Sequence, residues 1–123
     1  MSFSAHIIPE LKEGVTKGDS MSMYKLAVCY EYGKGVKKDL KKSIELYIQA
    51  SKKNNTCAMY ILGLCYEHGK GVDEDEDKAM EWYRKAASKG HPEAMFTLGW
   101  YFRFNHTLSK ELIAGAQWIS MVV

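Results

Sequence analysis

A few chemically active side chains occur at spacings that enzymes use. Ser22 and Lys25 form a Ser-x-x-Lys motif. In penicillin-recognising hydrolases this motif supplies a serine nucleophile with a lysine beside it. The Ser-Asp-Asn and Lys-Thr-Gly segments that accompany the motif in those enzymes do not occur in this sequence. We therefore expect a non-catalytic protein, with a cell-wall-type hydrolase as the alternative.

Candidate metal and phosphate ligands lack the spacing that those sites need. The acidic run 73–77 resembles the start of a calcium loop, but Lys78 and Arg84 stand where that loop requires glycine and glutamate. The histidines and cysteines form no Cys-x-x-Cys or paired ligand spacing; they are His6, His68, His91, His106, Cys29, Cys57 and Cys65. The glycine-rich turn 33–35 follows a predicted helix, whereas anion-binding turns precede one. We expect neither a metal nor a cofactor.

Composition narrows the classes of partner. The 17 basic and 15 acidic residues are intermixed and give a net charge of +2, which is too balanced for a nucleic-acid-binding protein. No apolar stretch is long enough for a membrane span or a signal peptide. Three cysteines are an odd number for a disulfide framework. These features predict a cytoplasmic protein without membrane insertion.

A repeat of 36 residues organises the chain. The segment 24–36 recurs without a gap at 60–72. A third copy keeps the displacement at Phe96, Leu98, Gly99 and Phe102, but its turn differs. Asn105, Thr107 and Leu108 stand there in place of Gly69, Gly71 and Val72. A period of this length is typical of stacked supersecondary units.

Each copy predicts two helices. In the second copy, apolar residues at spacings of three and four predict a helix over 56–68, and the glycines of Gly69-Lys70-Gly71 predict its end. A second helix is expected to open at Asp75, whose carboxylate can cap backbone amides. Small residues such as Gly63 and Ala86 indicate close antiparallel packing. A single helix pair cannot bury its apolar face alone, so the pattern predicts an all-α, α/α superhelical solenoid.

The repeat also predicts the boundaries of the units. We expect a degenerate half-repeat over 1–17, repeat one over 18–53, repeat two over 54–89, and a divergent repeat three over 90–123. The last predicted helix has no polar cap after it, so we expect either self-association into a homo-oligomer or a longer array of which this chain is a part. The apolar residues of that helix are Trp118, Ile119, Met121 and Val122.

The repeated pattern resembles the Sel-1-like repeats, which are related to the tetratricopeptide repeats. The residues that carry the resemblance are Ala58, Leu62, Gly63, Tyr66, Glu67, Gly69, Gly71, Val72, Asp75, Lys78, Ala79, Trp82, Tyr83, Lys85, Ala86, Ala87 and Gly90. The resemblance implies a helical superhelix that acts as an adaptor or scaffold for another protein. Ser51 and Met59, and likewise Ala87 and Met95, stand where some secreted relatives have bridging cysteines, which agrees with a reducing compartment.

The resemblance also implies which face binds. In tetratricopeptide-like superhelices the first helix of each pair lines a concave groove that holds a peptide or a helix of a partner. The corresponding positions here are Met21, Tyr24, Val28, Tyr32, Cys57, Tyr60, Leu64, His68, Glu93, Phe96, Trp100 and Phe104. Tyr24, Tyr60 and Phe96 can instead be packing residues between repeats. Tyr32, Trp100 and Phe104 depart from what the repeat requires and are the stronger binding candidates.

Overall fold

The computed structural model describes residues 7–105, and every regular element in that range is a helix. The bounds of the helices are α1 Ile7–Thr16, α2 Ser20–Tyr32, α3 Leu40–Lys52, α4 Thr56–His68, α5 Glu76–Ser88 and α6 Pro92–Asn105. The prediction of an all-α solenoid of helix pairs is confirmed. Within this range no helix is long and apolar enough to cross a membrane.

Side-chain caps define where the helices begin. Asp39 and Asp75 precede α3 and α5, and each carboxylate accepts a hydrogen bond of 3.1 Å from a backbone N–H in the first turn. Such a bond satisfies an amide that has no partner within the helix. Gly69 ends α4 in the left-handed conformation (φ 67°), and its N–H donates to the carbonyl of Cys65. The predicted start at Asp75 and stop at Gly69 are both confirmed.

Within a repeat the two helices approach closely because small residues face a large ring. Tyr83 of α5 is fully buried against Gly63 of α4. A Cβ atom at Gly63 would lie 2.4 Å from Cε1 of this ring, which is far inside van der Waals contact. Repeat one has Ala27 and Tyr47 at the corresponding positions, and both are buried. Small residues therefore set the separation of the helices within each pair.

The repeats stack through two adjoining apolar cores. One core joins α1, α2, α3 and α4, and the other joins α4, α5 and α6. The half-buried Trp82 packs against both cores. Gly71, in the turn of repeat two, lies so close to α3 that an added Cβ would meet Cγ1 of Ile44 at 3.0 Å. The stack leaves two layers of helices: α2, α4 and α6 are the first helices, and α3 and α5 are the second helices.

Candidate protein-interaction surface

The predicted groove residues lie on the first helices, and several of them are exposed. We define the first-helix face by the large apolar side chains that α2 and α6 expose: Met21 (47% exposed), Tyr32 (58%), Phe96 (62%) and Trp100 (54%). The predicted groove positions Cys57, His68 and Glu93 are also exposed. The side chain of Phe104 lies outside the described part of the structure, as do Trp118, Ile119, Met121 and Val122.

Four other predicted groove residues are half-buried: Tyr24, Val28, Tyr60 and Leu64. Tyr24 packs its ring on Tyr47 with a centroid distance of 5.9 Å, and Tyr60 packs on Tyr83 at 5.6 Å. The Tyr60 ring also stacks on buried His91 at 5.0 Å. The two tyrosines therefore hold the helices of a repeat together, and Tyr60 also packs against repeat three through His91. Both offer only part of their surface to a ligand.

Tyr32 is the last residue of α2, and its ring lies near the ammonium groups of two lysines. The Nζ atom of Lys34 is 5.6 Å from the centroid of the Tyr32 ring, and that of Lys70 is 4.7 Å away. An ammonium group at this distance is attracted to the negative face of an aromatic ring. Lys34 belongs to repeat one and Lys70 to repeat two, so this end of the face combines an aromatic surface with cations from two repeats.

The buried carboxylate that lies beneath this surface was not predicted from the sequence. Glu31 is only 6% exposed. Its carboxylate accepts a hydrogen bond of 2.5 Å from the hydroxyl of Tyr47. It also forms an ion pair of 2.7 Å with Nζ of Lys70. In repeat two, Glu67 accepts from the hydroxyl of Tyr83 in the same way. The repeated Tyr-Glu pairs at 30–31 and 66–67 could have indicated these buried carboxylates in the sequence, because a glutamate next to core residues needs a buried partner.

These contacts shift the proton affinities of the groups involved. The hydrogen bond with Glu31 is the main cause that raises the pKa of Lys70 above its usual 10.5. Burial first, and then the hydrogen bond to the glutamate, raise the pKa values of Tyr47 and Tyr83 well above 10. A charged carboxylate favours a protonated donor beside it. The phenols of Tyr47 and Tyr83 and the ammonium group of Lys70 thus keep their protons in the fold.

The Ser-x-x-Lys motif lies at the start of α2. The hydroxyl of Ser22 donates a 2.6 Å hydrogen bond to Oδ2 of Asp19, the cap of this helix. This bond is the main cause that lowers the pKa of Asp19. Ser22 thus takes part in helix capping, and nothing in the described residues supports a hydrolase. Residues 7–105 also contain no group of three or more acidic, histidine or cysteine side chains that could hold a metal ion.

Known structures with this architecture share the repeat. A protective antigen of uropathogenic Escherichia coli with an SLR fold superposes with a TM-score of 0.84 at 28% identity, over 96% of this chain and 25% of that chain. A Sel1 repeat protein from Oxalobacter formigenes superposes at 0.83 and 25% identity, over 96% and 47% of the two chains. The chain thus spans a quarter to a half of the length of these two proteins.

A shorter relative has a similar fold. Cysteine rich protein B of Helicobacter pylori superposes with a TM-score of 0.69 at 31% identity, over 72% of this chain and 67% of that chain. No curated protein matches the sequence. The family model of the Sel1 repeat matches residues 20–55 and 58–91, which together make up more than half of the chain. The resemblance inferred from the repeated motif is confirmed, and the chain belongs to the Sel1 repeat family.

Proposed function

We propose that this protein is a non-catalytic adaptor that binds a peptide or a helix of a partner protein on its first-helix face. Sel1 repeat proteins are generally protein-interaction scaffolds. The single observation that carries the proposal is the exposure of Met21, Tyr32, Phe96 and Trp100 on one layer of helices. Large apolar side chains cost free energy in water, and clusters of them typically mark interaction sites.

The chemistry of the face supports a peptide partner. Tyr32 and Trp100 are the residue types that dominate binding energy in protein interfaces, because rigid rings bury a large area with little loss of entropy. Tyr32 extends from α2 and Trp100 from α6, so a ligand that touches both spans all three first helices. Such a ligand is an extended segment or a helix, and a small molecule would be too short. Lys34 beside Tyr32 favours a carboxylate at that end of the ligand, whereas Lys70 is already paired with Glu31.

A double substitution tests the proposal. Tyr32→Ala with Trp100→Ala should abolish capture of the partner by the immobilised chain, and titration with the purified partner should then show at least about a hundredfold weaker binding. Lys41→Ala with Gln49→Ala, which changes two exposed residues of α3, is the matched control and should bind normally. Circular dichroism must show equal helicity for all three proteins. Unchanged binding by the Tyr32/Trp100 variant would contradict the proposal.

We also propose that the chain works in a reducing compartment such as the cytoplasm. All three cysteines are free thiols, and Cys29 and Cys65 are buried. A buried free thiol behaves as a small apolar residue and is compatible with such a compartment. Alkylation of freshly lysed cells before denaturation, followed by mass spectrometry, would test this. A disulfide found on any of the three cysteines would contradict it.

A further inference from the structure

An open cleft of about 340 Å³ lies between the second helices α3 and α5, in the layer that does not carry the first-helix face. Ile48, Met59 and Trp82 line it with apolar surface. Trp82 is half-buried, so part of its ring is available to a ligand. The cleft therefore offers a shallow apolar recess at the junction of repeats one and two.

Three lysines surround this recess: Lys52, Lys85 and Lys89. The Nζ atom of Lys85 lies 4.6 Å from the centroid of the Trp82 ring. No carboxylate of residues 7–105 forms an ion pair with any of the three ammonium groups. The three ammonium groups thus have no carboxylate of the described residues within ion-pair distance, and they favour an anionic ligand.

Repeat two and the unit before it differ at the residues of this recess. The equivalent residues, 36 positions earlier in the sequence, are Thr16 for Lys52, Gln49 for Lys85 and Leu46 for Trp82. The corresponding positions of the preceding unit thus keep one of the three lysines, Lys53, and lack the tryptophan. The recess of repeat two therefore has an indole ring and two more lysines than the corresponding positions of the preceding unit.

We propose that this cleft is a second interaction site, which binds an acidic peptide segment of a partner protein. An apolar side chain of the segment enters the recess against Trp82, and carboxylates on either side of it meet Lys52, Lys85 and Lys89. Charge complementarity and the apolar floor together select this ligand class. The same two helices expose Glu45 and Glu81. Glu81 borders Trp82 and Lys85, so the acidic segment approaches the recess from the side of Lys52 and Lys89.

Fluorescence anisotropy with one defined probe tests the inference. The probe is a fluorescein-labelled peptide with a central leucine-phenylalanine pair flanked on both sides by glutamates, and its glutamine counterpart is the uncharged reference. We expect the wild-type chain to bind the acidic peptide, and binding to weaken at least about tenfold in Lys85→Glu/Lys89→Glu. The glutamine peptide should bind weakly to both proteins. The indole N–H signal of Trp82 in a ¹H–¹⁵N spectrum should shift with the acidic peptide.

The variant Lys37→Glu/Lys38→Glu is the matched control, because it makes the same change in net charge at the turn before α3. It should weaken binding by less than about threefold, since general attraction between distant charges is screened by salt. Equal loss in both variants, or no binding to the wild-type chain, would overturn the proposal. The proposal would also be overturned if vesicles containing phosphatidylserine bound the chain through Lys85 and Lys89 and the acidic peptide did not bind. Failure of the first-helix face to bind its partner would leave this result unaffected.

Discussion

Lys70 of repeat two forms a 2.7 Å ion pair with the buried carboxylate of Glu31 in repeat one. The carboxylate is also bound by the hydroxyl of Tyr47. In addition to their apolar contacts, repeats one and two are thus joined by one charged group with two donors. The same lysine lies over the ring of Tyr32 on the first-helix face. Stability at this junction and the geometry of the candidate binding surface therefore depend on a shared residue.

Removing the lysine should destabilise the fold. Lys70→Met leaves Glu31 buried with only the Tyr47 hydroxyl as its partner, and a buried carboxylate that loses a charged donor is costly. Because Lys70 itself is partly exposed, we expect a loss of about 1–2 kcal/mol in the free energy of unfolding, measured by urea denaturation. Lys34→Met changes the equivalent exposed lysine of repeat one and should cost less than about 0.5 kcal/mol. Equal losses would show that the ion pair does not stabilise the junction.

Stability should fall above about pH 10. An unfolded tyrosine ionises near pH 10, whereas burial and the bond to Glu31 raise the pKa of Tyr47, so the folded chain keeps this proton. Unfolding therefore releases a proton in alkaline solution, and the free energy of unfolding falls by about 1.4 kcal/mol per pH unit for each such group. Tyr47→Phe should reduce this slope by about 0.7 proton between pH 10 and 11, because the unfolded tyrosine is only half ionised at pH 10. Identical slopes for the two proteins would contradict the shift.

Two glycines with positive φ should respond differently to alanine. Gly90 has a φ of 90° and open space where a Cβ would be, so Gly90→Ala carries only the cost of the left-handed backbone, about 1 kcal/mol. Gly71 has a φ of 78° and lies against α3, so Gly71→Ala adds a steric cost and should lose about 2–4 kcal/mol. Thermal and urea unfolding of both variants measure the difference. Similar losses would mean that the repeats are not closely packed at Gly71.

The cysteines should differ in reactivity. Cys57 is exposed, whereas burial raises the pKa of Cys29 and raises that of Cys65 to about 11. The thiolate is the reactive form, so the buried thiols are protected by both access and charge state. At pH 8, iodoacetamide should modify one cysteine in the folded chain and all three in denaturant, as counted by mass spectrometry. Cys57→Ser should remove the fast reaction, and rapid labelling of Cys65 in the folded chain would contradict the burial of its thiol.

Much of the fold could be predicted from local pattern. The helix over 56–68, its stop at Gly69 and the cap at Asp75 depend on neighbouring residues and on periodicity, which the sequence displays directly. Because the copies are displaced by 36 residues, the same helix, stop and cap are predicted at the equivalent positions of repeat one. The predicted binding face is less completely determined: the exposure of Tyr32 and the partial burial of Tyr60 depend on which ring of the following helix reaches each of them.

The sequence by itself determined the helix pairs, their order and the small residues between them, because each of these follows from spacings within one 36-residue unit. Only the tertiary structure decided which residues meet across units. Glu31 and Lys70 are 39 positions apart, a separation that does not correspond to the repeat, and no local rule pairs them. The lysine-bordered cleft likewise combines α3 and α5 from different repeats. Such contacts depend on the stacking geometry of the repeats, which side-chain packing between distant residues determines.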